Sequence, residues 1–188
     1  MSANKPTGFT LIELVIGIIV FSIALVLFTS LIIPQAIRSV DPIFQVRASE
    51  LGQSLINEIA GKSFDENNNR TGGLQICNQA DPVTSVIIPC SVINSVTNAN
   101  IEEGIGNRDQ FDDVDDYNNL NQSGASIENS LGGTTGLYTG FNVRVSVVYD
   151  AGMDGTADTV IGNTKLITVT VTTPNDEDII FSTFRSNY

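Results

Sequence analysis

Between Leu14 and Ile33 the chain reads LVIGIIVFSIALVLFTSLII, without one charged side chain. About 20 apolar residues, at 1.5 Å rise each, cross the hydrocarbon core of a bilayer as a helix. A helix of a soluble domain needs a polar face, and this segment has none. Ser22, Thr29 and Ser30 do not spoil the pattern, because their hydroxyls can bond carbonyls of the preceding turn. A cleaved secretory signal has an apolar stretch of about 7–15 residues followed by a small-residue cleavage site. This run is longer, and it continues through Pro34, Gln35 and Arg38 with no A-x-A pattern. The helix is therefore expected to stay in the mature protein.

Orientation is weakly encoded. Lys5 precedes the helix; Arg38 and Arg47 follow it together with Asp41 and Glu50, so the positive-inside rule does not decide. So short a leader holds no domain, and the bulk of the chain is expected on the face opposite Met1. Glu13 is the anomaly. It follows Phe9-Thr10-Leu11-Ile12 and directly precedes the apolar run. A carboxylate costs up to ~3 kcal/mol near the bilayer centre, and it either protonates or seeks a cation. On position alone, Glu13 could equally mark the aqueous end of the helix.

Composition narrows the function classes. Asp and Glu number 21 against 9 Lys and Arg, a formal charge of -12 that repels phosphate backbones, so no nucleic-acid partner is expected. Histidine is absent, which removes Ser–His–Asp and Cys–His relays and His-based zinc sites. An enzyme is not expected, and no cofactor is required. Cys77 and Cys90 are the two cysteines; they are either a disulfide or two free thiols. Outside the cytoplasm a disulfide is favoured, and it would be worth about 3 kcal/mol in the chain-entropy model.

Gly8-Phe9-Thr10-Leu11-Ile12-Glu13-Leu14-Val15 resembles the prepilin signature of type IV pilins and type II secretion pseudopilins: a short leader ending in Gly, an aromatic residue, Glu five residues into the mature chain, then an apolar helix. The resemblance implies a prepilin peptidase that cuts between Gly8 and Phe9 and N-methylates Phe9. It implies that Glu13 pairs with the amino terminus of a neighbouring subunit as the helices bundle, fixing register during assembly. Other pilins, a pilus platform protein and the inner membrane are the remaining implied partners. The signature covers residues 8 to about 33. Beyond it, the stretches Pro34–Pro42, Gln45–Leu55, Phe64–Asn67 and Phe111–Tyr117 are similar to minor pilins of the mannose-sensitive haemagglutinin pilus of Gram-negative bacteria.

The remaining chain predicts an α+β fold, a long amino-terminal helix on a small antiparallel sheet. Pro34 is expected to kink the helix; Asp41-Pro42 either kinks it or restarts it. Residues 43 to about 61 carry Val46, Leu51, Leu55 and Ile59 near helical spacing, with Gly61 as a stop. Short strands are expected at Val83–Pro89 and Ser91–Val96 within a loop-rich region. From Phe141 onward, Val143, Val145, Val147 and Tyr149, then Ile167, Val169 and Val171, then Ile179–Phe184 alternate as an antiparallel meander. The expected divisions are a leader at 1–8, the membrane and filament-core helix at 9–34, its amphipathic half at 35–62, a loop region at 63–140 holding the expected disulfide, and the meander at 141–188.

Two acidic clusters are weighed for calcium. Asp112, Asp113, Asp115 and Asp116 fit no known loop template and read as solvated surface. Asp150, Asp154 and Asp158, with Gly155, resemble half an EF-hand loop, yet place 3 is Gly152 and place 12 is Ile161, so a hairpin loop is the simpler reading. The expected function is that of a minor pilin in the periplasm and then the filament. A minor pseudopilin of a secretion or DNA-uptake system and an adhesive module are the alternatives.

Overall fold

The computed structural model describes residues 8–38, 41–68, 75–93, 108–129, 133, 134 and 136–188. The chain divides into two compact units, Met1–Ile43 and Phe44–Tyr188. The leader residues 1–7, Lys5 among them, lie outside the described residues.

In the first unit, helix α1 spans Leu11–Arg38. Its segment Leu11–Leu31 is long and apolar enough to cross a membrane, with a mean hydropathy of 2.9. Within its own unit its side chains stay exposed: Phe21, Val26 and Leu31 are each about two-thirds exposed. The Ser22 hydroxyl donates to the Ile18 carbonyl at 2.8 Å, Thr29 to Leu25 at 3.0 Å and Ser30 to Leu27 at 2.8 Å. Polar side chains in the apolar run thus spend their donors on their own helix. α1 continues past Pro34, where a kink was expected, and runs on to Arg38. Helix α2 spans Asp41–Ala60. It restarts at Asp41-Pro42, where proline's missing N–H falls on a position without an intrahelical partner.

The second unit is built on a four-stranded antiparallel sheet in the order β1-β2-β3-β4. The strands are β1 (Asn121–Ser123), β2 (Asn142–Tyr149), β3 (Thr164–Thr172) and β4 (Asp178–Ser186). Register aligns the alternating apolar residues into rows: Val143 opposite Val171 and Val171 opposite Ile179; Val145, Val169 and Phe181; Val147, Ile167 and Thr183. These rows form one face because side chains of period two share a side. Ala48, Leu51, Leu55, Ile56 and Ile59 of α2 join the same buried core. At Gly52 the helix comes so close to β4 that a Cβ there would meet the Phe181 ring at 2.2 Å. The α+β architecture is therefore an amino-terminal apolar helix followed by a small antiparallel sheet.

Several expectations need correction. Val46 is 58% exposed; Phe44 and Ala48 carry the inward stripe instead, one turn apart. No strand forms at Val83–Pro89, where a single bridge between Ala80 and Ile87 closes a tight turn. Asp81 explains this: its Oδ1 accepts the backbone N–H groups of Val83 and Thr84, bending a run that composition favoured as extended. Of Ser91–Val96, residues 94–96 lie outside the described residues, and 91–93 form no strand. β1, in contrast, emerges from a stretch that read as loop.

Candidate functional site

Gly8, Phe9 and Thr10 precede the first turn of α1 in non-helical backbone. Phe9 is 83% exposed. A Cβ at Gly8 would meet nothing within 4 Å, so packing within the chain does not demand glycine there. Thr10 caps the helix: its Oγ1 accepts the Glu13 N–H at 3.4 Å, and its carbonyl accepts the Leu14 N–H at 3.2 Å. Thr10-x-x-Glu13 is the sequence of a capping box, a signal the sequence reading overlooked. Glu13 also sits in the first turn, where a negative charge is stabilised by the positive end of the helix dipole. The helix thus starts immediately after an exposed Gly8–Phe9 peptide bond, accessible to a protease.

The acidic knot is not solvated surface. Asp113, Asp115 and Asp116 are each only 3% exposed. Asp116 Oδ2 accepts the N–H groups of Asp112 and Asp113 at 2.9 and 3.1 Å; Asp113 Oδ1 accepts those of Asp115 and Asp116 at 2.7 and 3.2 Å. The carboxylates close their own turn. Lys165, fully buried on β3, reaches the same cluster. Its Nζ lies 2.6 Å from Asp115 Oδ1 and 3.3 Å from Asp65 Oδ2, and 4.2 Å from the centre of the Phe64 ring. Burial, then repulsion from Asp115 and Asp116, pushes the Asp113 carboxyl up to about 8. Burial pushes Asp115 up to about 6 against the pull of Lys165.

Sequence reading missed Lys165, although a signal existed. It shares the parity of Ile167, Val169 and Val171, so alternation alone puts a lysine on the buried face. It likewise missed Asp65. Asp65 Oδ1 accepts the Asn67 N–H at 3.0 Å and the Ser91 hydroxyl at 3.2 Å, and Oδ2 accepts the Ser91 N–H at 2.8 Å. A second buried network joins α2 to the loops. Arg108 donates to both carboxylate oxygens of Glu58, at 3.2 and 2.7 Å, and the Tyr117 hydroxyl donates to Glu58 Oε1 at 2.7 Å.

Cys77 and Cys90 are joined in a disulfide, both buried. The Asn187 side chain donates to the Cys77 carbonyl at 2.9 Å and accepts from Asn68 at 2.9 Å, fastening the C-terminal end of the chain to the bridged loop. Asp65 lies close to both sulfurs, but sulfurs bonded to each other are not a metal-ligand set. In the β2–β3 loop, Asp150 is buried and its two oxygens accept the N–H groups of Asp154 and Gly155 at 3.1 and 2.8 Å. Asp158 Oδ2 accepts the Ala151 N–H at 2.7 Å, and Gly155 takes the positive φ of 84° that the turn needs. The residues read against an EF-hand loop thus close a hairpin.

A scan against protein families matches residues 4–29 to the prokaryotic N-terminal methylation motif. Searches of curated proteins and of solved structures returned no match. The motif implies processing by a prepilin peptidase and assembly with other pilins, and it suggests a structural rather than an enzymatic role. With the apolar helix it suggests membrane anchoring and a pilus. The match, joined to the helix-then-sheet architecture, supports a place in the type IV pilin and pseudopilin superfamily.

Proposed function

We propose that this chain is a minor pilin of a type IV pilus of the mannose-sensitive haemagglutinin kind, most similar to the minor pilin MshD. It acts as a structural subunit that initiates or modulates filament assembly and so supports surface attachment. The observation that carries the pilin reading is the GFTLIE signature on an exposed Gly8–Phe9 bond, followed by an apolar helix whose own unit buries none of its membrane-length segment. Such a surface is stable only in lipid or against other apolar helices, and a filament core supplies the second after the membrane supplies the first. Peptidase cleavage after Gly8 and methylation of Phe9 prepare the subunit. Glu13 then pairs with the amino group of a neighbouring Phe9. The domain that follows lies in the periplasm of a Gram-negative cell before export into the filament. Stretches similar to MshD at residues 34–55 and 111–117 favour a pilus over a secretion system.

Mass spectrometry with and without prepilin peptidase tests the reading. Loss of residues 1–8 and gain of a methyl on Phe9, both dependent on the peptidase, is the expected result. An intact amino terminus in both strains overturns it. A deletion that leaves pili normal but blocks protein secretion or DNA uptake makes the chain a pseudopilin.

A further inference from the structure

We propose that Lys165 and Asp115 form an intramolecular isopeptide bond, a covalent clamp between β3 and the loop of residues 111–117.

The geometry separates the two carboxylates that face this lysine. Asp65 is well partnered: its oxygens accept two backbone N–H groups, the Ser91 hydroxyl and Lys165 Nζ, which fix it in place as an acceptor. Asp115 is the opposite. Its carboxylate is buried and neither oxygen accepts a hydrogen bond, yet Lys165 Nζ stands 2.6 Å from Oδ1. At that distance the contact fails as a hydrogen bond only through its angles, so amine and carboxyl meet off the line of a lone pair. An ion pair in ordinary geometry aligns an N–H with an oxygen. A contact this short and this misaligned holds amine and carboxyl within reach of bond formation.

The surroundings suit the chemistry. The amine must be neutral to attack and the carboxyl must be protonated to lose oxygen. Burial favours the protonated form of the Asp115 carboxyl. Lys165 is enclosed by the rings of Phe64 and Tyr149, 4.2 and 5.2 Å from Nζ. Asp65 is placed to take the ammonium proton. The departing oxygen takes the two protons that the Lys165 ammonium gives up. Nζ attacks Cγ of Asp115, the C–N bond forms, one C–O bond breaks and water departs. Ammonium plus carboxylate become amide plus water, with charge and atoms balanced and no co-reactant. The proximity that folding imposes replaces an activating cofactor.

The experiment is the intact mass of the full-length purified protein, denatured and fully reduced so that the disulfide contributes nothing, followed by a tryptic map. The expected mass is one water below that of the sequence. The map should contain a branched peptide joining residues 109–144 to 145–185, because a bonded Lys165 resists cleavage. Lys165→Arg should return the full mass, which is readable even if that variant folds poorly. A wild-type mass equal to the sequence overturns the proposal and leaves an ion pair. A lost water that persists in Lys165→Arg, or that maps to Asp154-Gly155 as a cyclised aspartyl, overturns it equally.

Discussion

Arg108 grips Glu58 with two parallel donors, Nε to Oε1 at 3.2 Å and a terminal guanidinium nitrogen to Oε2 at 2.7 Å, and this pair ties α2 to the loop that follows it. Both side chains are nearly buried, at 3% and 9% exposure. Removing one partner of such a pair strands the other charge in low dielectric, at a cost of about 3–5 kcal/mol. Glu58→Ala is therefore expected to lower the thermal midpoint sharply, since it orphans both the guanidinium and the Tyr117 hydroxyl. Glu58→Gln keeps an acceptor for Tyr117 and should lose less. Equal midpoints for the two variants, measured by circular dichroism in detergent, would refute the charge argument.

The Asp113 carboxyl gives the domain an inverted pH response. Its value is raised from an ordinary 3.8 to about 8, so between those limits the folded state binds a proton the unfolded state does not. Stability from this group is complete below about pH 4 and is lost as pH rises through about 8. Denaturant midpoints should therefore fall between pH 5 and 9 if this group dominates. Asp113→Asn, which mimics the protonated form, should flatten the curve. A wild-type midpoint that rises over the same range would exclude Asp113 as the controlling group.

The contrast between these buried charges and the sheet shows what the sequence could carry. Alternation from Val143 to Tyr149 and from Ile167 to Val171 declared strands and their inward face, because period two is a local property. The uninterrupted run from Leu14 declared a membrane-length helix for the same reason. Asp113, Asp115 and Asp116 misled because carboxylates in a row read as solvent-facing, and only the fold brings Lys165 from fifty residues away to meet them. The Val83–Pro89 turn was hidden because one side chain, Asp81, overrides the extended preference of its neighbours. The motif around Gly8 and Phe9 was legible because it is a local run of sequence, and packing within the chain does not demand glycine at position 8. β1 carried no signal at all: three polar residues join the sheet because β2 offers an edge.

Gly52 marks the closest approach of α2 to the sheet. A methyl group there would intrude on the Phe181 ring at 2.2 Å, whereas on an open helix face alanine would stabilise by about 1 kcal/mol. Overpacking of this kind costs about 1–3 kcal/mol and should prevail. Gly52→Ala is expected to lower the midpoint, and adding Phe181→Leu should restore part of it. Additive losses in the double variant would show that the two side chains do not compete for the space.

Each oxygen of Asp150 already accepts a backbone N–H of its own loop, so calcium would have to share both oxygens with those donors. Millimolar calcium is expected to leave the melting transition unmoved and to give no heat in a calorimetric titration. Asp150→Ala should destabilise by about 0.5–1.5 kcal/mol, because two backbone donors on the exposed loop lose their buried acceptor and turn to water. Saturable heat on calcium addition, abolished by Asp150→Ala, would restore the loop as a cation site.

Glu13 separates folding from assembly. The cap on α1 uses the backbone N–H of residue 13 and the hydroxyl of Thr10, so it survives any side chain at that position. Glu13→Gln removes the charge while keeping size and hydrogen-bonding capacity. The unit Phe44–Tyr188 contains none of these atoms, so its melting midpoint should not change. Peptidase cleavage after Gly8 should persist, because the scissile bond and the cap are intact. Incorporation into sheared filaments, measured by immunoblot against the membrane fraction, should fall by at least about tenfold if the carboxylate must meet a neighbouring amino group in a dry core, where an unmatched ammonium costs several kcal/mol. Thr10→Val is the complementary change. It removes the cap and leaves the charge, costing about 1 kcal/mol at the helix end, so it should disturb assembly far less. Equal defects in the two variants would make the start of the helix, and not the charge of Glu13, the feature that assembly reads.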